Sequence, residues 1–192
     1  MTIWRRLESW PFFFLFFGRI QRPLLKKEER EARRSDFQNE RLLRLYLSSL
    51  RPASKARELF KDVKVYCMFL SYPQSRQTLI GALFDAHRSM NIAHEVDTLG
   101  LVQAGFGRDQ IFYYLMENSI RFAGCGREWS GHSFAVPGQW QGKFERLKVI
   151  GDKKGSRSLE RLRENGKLLE RLKETVGVPV RHIHYIRNPY DN

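Results

Sequence analysis

Ser71, Ser75 and Thr78 lie where an apolar run gives way to a helical pattern, in the stretch "SYPQSRQT" (71–78). A tight turn between a strand and a helix can aim backbone N–H groups at an anion, and the helix start adds partial positive charge. Here Gln74, Ser75, Arg76, Gln77 and Thr78 supply the N–H groups, and Ser75 and Thr78 add hydroxyl donors. The stretch lacks the paired glycines and the lysine of the common nucleotide-triphosphatase loop. Nothing in it grips a β,γ-phosphate and its magnesium, which argues against generic kinase or ATPase chemistry.

Other groups with chemical capacity follow. "IAHEVD" (92–97) sets a carboxylate, Glu95, beside His94, whose imidazole titrates near neutral pH and could serve as a base. Asp97 reads as a helix cap. "GDKKG" (151–155) carries Asp152, Lys153 and Lys154, either a solvated turn or a cation for an anionic substrate. Arg187, in "HYIRNPYDN" (184–192), can fork onto a phosphate or form an ion pair at a strand end. Trp129, Phe134 and Trp140 fall in a Gly-, Ser- and Gln-rich stretch, 124–143, where they either wall an acceptor pocket or join the core. His182 and His184 alternate on one strand face and read as packed residues, not ligands. No metal-ligand spacing is present.

The elements that must position these groups alternate. β-branched and aromatic residues predict a buried strand over 63–72. Apolar spacing predicts helices over 78–87 and 108–122. A strand or loop is expected over 91–97, and a short strand ends at Gly151. Two helical pieces split at Asn165-Gly166, and the second is capped by Gly177 before Pro179. A strand covers 180–186. Residues 24–61 read as helix, with Leu42, Leu43, Leu45, Tyr46 and Leu50 at three- and four-residue spacing and Arg51-Pro52 as the stop. This alternation predicts an α/β fold with a parallel sheet and flanking helices. In such sheets ligands bind beyond the carboxyl ends of the strands, where 71–78, 94–97, 152–154 and 187–188 fall.

The chain has 192 residues, 42% of them hydrophobic, enough for one sizeable core. Its net charge of +13 favours acidic partners such as phosphates, sulfate, anionic lipid or nucleic acid. Residues 1–61 hold 15 Lys and Arg against 7 Asp and Glu and read as a basic helical arm; 62–192 read as the α/β domain. "WPFFFLFFG" (10–18) falls well short of the roughly 20 residues that span a bilayer. Together with the arginines of 1–23 it either lies on a membrane surface or packs on the domain. No recognised nucleic-acid module is present. Cys67 and Cys125 form no zinc or disulfide framework, which fits a reducing, cytoplasmic setting.

The strand, Pro-x-Ser-x-x-Thr turn and helix of 63–87, with Arg187-Asn188-Pro189 after a later strand and Gly151-Asp152-Lys153 between them, resemble the sulfotransferases that use 3′-phosphoadenosine 5′-phosphosulfate. The resemblance covers about 63–192 and is nearest to bacterial and carbohydrate-type members. It implies a P-loop-type fold, a nucleotide sulfate donor, a hydroxyl or amine acceptor and no metal. Residues Gln74, Ser75, Arg76, Gln77 and Thr78 would hold the 5′-phosphosulfate and Arg187 the 3′-phosphate. Glu95 would be the base, and Lys153 would lie near the sulfate or acceptor. Two departures stand out. Gln74 replaces the family's Lys or Arg, and Arg76 replaces a glycine. The reading that follows is that Arg76 supplies the missing cation, the other being that it points to solvent. Family members continue past the Arg-x-Pro segment to a serine that shares the 3′-phosphate, so the resemblance implies a domain incomplete at its C-terminus. A non-catalytic paralogue of the same fold, or a basic protein held on membranes or nucleic acid by 1–61, are the rival expectations.

Overall fold

The computed structural model describes residues 27–72, 75–186 and 188, with side chains from residue 39 onward. Pro73, Gln74, Arg187, Pro189 and the apolar segment 10–18 lie outside the described residues. The chain divides into two units, 1–41 and 42–192. The described part of the first is helical.

Helix α1 spans Lys27–Ala56 and leads into a 3-10 turn, Arg57–Phe60. The helix therefore passes through Pro52, where the sequence signal placed its end. A proline interior to a helix removes one N–H bond and crowds the preceding turn. Core packing offsets that cost here, because Ala53 and Ala56 just beyond it are buried, and Leu42, Leu45 and Tyr46 on the preceding turns pack on the same core.

The remaining elements are β1 (Val65–Ser71), α2 (Gln77–Asp85), β2 (Met90–His94), α3 (Thr98–Gln103), α4 (Arg108–Gly124), the two-residue strands β3 (Glu128–Trp129) and β4 (His132–Ser133), β5 (Val149–Lys153), α5 (Ser156–Glu164), α6 (Lys167–Val176) and β6 (Val180–Tyr185). The chain is thus α/β. Four parallel strands form one sheet in the order β2-β5-β1-β6, with helices on both faces. β3 and β4 make a small antiparallel hairpin inside the stretch read as a loop.

Side-chain alternation sets the layers. Tyr66, Met68, Ala93 and Ile150 face the larger core, which α3, α4 and α6 complete through Leu99, Phe112, Leu115, Leu168 and Leu172. Cys67, Phe69 and Ile92 face the other side, under Ile80 and Phe84 of α2. The connection from β1 to β2 thus runs over one face and the connection from β5 through α5 and α6 to β6 over the other. β1 and β5 are neighbours, so their loops part in opposite directions and leave a crevice at their carboxyl ends.

β6 is an edge strand, and His182 and His184 are exposed on it, not packed as their alternation suggested. Gly177, at φ 62°, closes α6 as expected.

Gly151 sits opposite Cys67 in the parallel pair of β5 and β1. A Cβ there would lie 2.2 Å from the Cys67 carbonyl oxygen. Gly151→Ala is expected to push the two central strands apart and lower stability by about 2 kcal/mol or more, read by urea unfolding.

Candidate functional site

Lys153 is the group around which the crevice is built. It is the last residue of β5 and only 1% exposed. Its aliphatic stem runs beneath α2, where a Cβ on Gly81 would come within 3.0 Å of the stem. The glycine lets helix and lysine lie that close. The ammonium emerges at the first turn of α2 and donates to Thr78 Oγ1 at 3.1 Å and to Glu95 Oε1 at 2.5 Å. Lys154 donates to the other oxygen, Glu95 Oε2, at 2.9 Å. The two lysines and the carboxylate form one compact charged cluster across the ends of β2 and β5.

Burial alone would raise the Glu95 carboxyl, but the two ammonium groups override it and hold it below its ordinary value. For Lys153 burial works against the charge and Glu95 for it, with burial the larger effect. Glu95 also has a left-handed backbone at φ 59°, a region that costs a non-glycine residue free energy. It holds that shape because Asp152 clamps the residues that follow. Asp152 Oδ1 accepts from the Val96 N–H at 3.1 Å, and Oδ2 accepts from the N–H and the hydroxyl of Thr98, each at 3.1 Å. Asp97 caps α3 by accepting from the Gly100 N–H, as the sequence suggested, and is gripped by Arg161 of α5.

The turn between β1 and α2 brings the remaining candidates to the same place. Ser75 is 4% exposed, and its hydroxyl has no hydrogen-bond partner among the described residues. Thr78 is half-buried and carries the Lys153 contact. The Gln77 carboxamide accepts from the Ser71 hydroxyl and lies against Gly155, where a Cβ would be 1.8 Å from Oε1. Gly155, at φ 50°, starts α5, so Gln77 ties the start of α2 to the start of α5. Neither helix has a side-chain cap at its N-terminus, and neither has an acid in its first turn. Two positive helix ends and a buried ammonium converge on one crevice, and Glu95 is the carboxylate set against them.

Arg76 takes a left-handed backbone at φ 61°, and its side chain is exposed. Lys153, arriving from another strand, brings a buried ammonium to the turn. The sequence reading placed Lys153 near the sulfate or acceptor; its burial under α2 depends on Gly81 and on strand order, which no local motif announces.

His94 is not a neutral-pH base. Its ring stacks on Phe122 at 4.2 Å and meets the edge of Trp129 at 4.6 Å, and burial, with Lys153 adding to it, pulls its pKa down to about 3. Trp129 is partly exposed, and Phe134 and Trp140 are half-buried. An anchor that the sequence did not reveal holds this segment. Asp85, at the end of α2, accepts from Arg127 at 2.7 Å, Ser119 at 2.7 Å and the N–H groups of Ile92 and Gly142. Asp85 and Arg127 are 42 residues apart and buried together, a pairing visible only in the fold.

No protein-family model, curated protein or solved structure matches this chain. Among the described residues no helix is long and apolar enough to cross a membrane.

Burial pushes the Asp152 carboxyl up to about 8, against the hydrogen bonds that favour its charge. Unfolded, the group loses its proton near pH 4. Between those values the native state holds a proton that the unfolded chain has released, so this contribution is complete at low pH and is lost as pH rises to about 8. Asp152→Asn should flatten the fall in stability between about pH 5 and 8 in urea unfolding measured across pH.

Proposed function

We propose that this chain is a sulfotransferase-type domain that transfers a sulfuryl group from 3′-phosphoadenosine 5′-phosphosulfate to a hydroxyl or amine acceptor. One observation carries the reading: the buried hydroxyl of Ser75, without a partner among the described residues, stands just before α2, near the Thr78–Lys153 contact, at the carboxyl end of a parallel sheet. A buried polar atom without a partner is costly, and an anion bound in the turn would satisfy it. That is the fit expected of a phosphosulfate in this turn. The rest of the support is the resemblance of 63–192 to the family.

In this reading the donor supplies an activated sulfuryl group on a phosphate leaving group. The N–H groups of the turn and the hydroxyls of Ser75 and Thr78 bind its 5′ end. Lys153 brings the positive charge that Gln74 lacks and steadies charge on the departing phosphate oxygen. Arg187 holds the 3′-phosphate. Glu95 takes the proton of the acceptor hydroxyl or amine as the new S–O or S–N bond forms. Positioning and charge stabilisation account for the chemistry, with no covalent intermediate on the protein.

The test is calorimetric titration with 3′,5′-adenosine bisphosphate, the product of the donor, against ATP as control, on wild type, Ser75→Ala and Arg187→Ala. Micromolar binding that prefers the bisphosphate is expected. Ser75→Ala should weaken it about tenfold while leaving stability unchanged or slightly higher, since the hydroxyl has no partner to lose among the described residues. Arg187→Ala should remove the preference over ATP. Equal binding of both nucleotides, or a serine variant that loses stability and keeps its affinity, would sink the proposal.

A further inference from the structure

We propose that Glu95 is a built-in stand-in for the bound anion: in the free protein its carboxylate occupies Lys153 and Lys154, and donor binding draws the two lysines to the incoming anion and releases Glu95 to act as base. The inference rests on the anion site proposed above and adds a gate to it.

The geometry supplies the argument. Each oxygen of Glu95 is taken by a different ammonium, Oε1 by Lys153 at 2.5 Å and Oε2 by Lys154 at 2.9 Å. A carboxylate so engaged on both oxygens is ill placed to accept a proton from an acceptor. The same Lys153 ammonium already reaches the turn, at 3.1 Å from Thr78 Oγ1. A small rotation about its terminal bonds exchanges Glu95 for an anion held by the turn, and the stem stays fixed beneath Gly81. Lys154 is about one-quarter exposed and can follow.

The charge arrangement explains why a stand-in is present. Two uncapped helix starts and the Lys153 ammonium would repel one another in a crevice with no anion. Glu95 offsets them, and its left-handed backbone at φ 59° is what turns its side chain into the lysine pair. The left-handed conformation carries a cost, and Asp152 maintains it through Val96 and Thr98. The clamp acts on the backbone, so it survives the exchange of partners at the Glu95 side chain. The balance of the exchange is simple: two ammonium–carboxylate contacts are replaced by ammonium–anion contacts, and no proton or bond is gained or lost until the acceptor arrives.

The gate makes Glu95 a competitor of the ligand, which is the opposite of what a ligand-binding residue does. Removing its charge should therefore tighten binding. In calorimetric titration with 3′,5′-adenosine bisphosphate, Glu95→Gln is expected to bind about fivefold or more tightly than wild type, and Lys154→Met more weakly. Glu95→Asn, better suited to a left-handed backbone, provides the same measurement if the glutamine variant does not fold. Binding seen only in the Glu95 variants would be the strongest form of support. A Glu95→Gln protein that binds the bisphosphate as wild type does, or less well, overturns the gate and leaves the anion site standing. Absence of binding in wild type and in both Glu95 variants overturns the anion site itself.

Discussion

A lysine ammonium buried at the end of a central strand is the constraint from which the rest of this site follows. Taking such a charge out of water is expensive unless partners surround it. Lys153 finds them in Thr78 of α2 and Glu95 after β2, so one side chain joins three segments distant in sequence. The arrangement requires β5 to lie between β1 and β2, which is the observed strand order. It also requires a residue without a side chain where α2 crosses the lysine stem, and Gly81 is there. Strand order, helix packing and the charged cluster are therefore one requirement seen from three sides.

A second buried charge does the same for the opposite end of α2. Asp85 gathers Arg127, Ser119 and two backbone N–H groups, and thereby fastens the segment after α4 to the end of α2 and to β2. Burial works to raise the Asp85 carboxyl and Arg127 opposes it. The segment that carries Trp129 is thus held by an internal ion pair at its start and by Gly142 at its end. Its aromatics flank His94, one residue before Glu95, so whatever binds along Trp129 lies close to the charged cluster.

The alternation of strands and helices was legible in the sequence because β1 is a nearly continuous apolar run and α2 and α4 carry apolar residues at helical spacing. The α/β class followed, and so did the cap at Asp97 and the stop at Gly177. Local signals failed where a distant contact decided the outcome. Pro52 carries a strong stop signal, yet the helix continues because Ala53 and Ala56 pack into the core. His182 and His184 alternate as core residues do, but β6 is an edge, and edge position is a property of the whole sheet. His94 has the chemistry of a base, and two aromatic neighbours remove it. At the site, the serines and threonine of the turn could be read from type and spacing. The partnership of Lys153 with Glu95 carries no local signal, because 58 residues separate them.

Two left-handed residues lie at the charged cluster. Arg76, after β1, and Glu95, after β2, both have positive φ without being glycine, as do Arg127 and Ser130 around the β3–β4 hairpin. Strain of this kind persists only where the surroundings over-determine it. At Glu95 the over-determining group is Asp152, whose three accepted hydrogen bonds fix the turn from inside the core. The residue before Lys153 thus shapes the loop that carries the partner of Lys153. Strand β5 delivers the cation on one face and the clamp for its counter-ion on the other. That pairing, two adjacent residues facing opposite layers and serving one cluster, is what a strand with period two can do and a helix cannot.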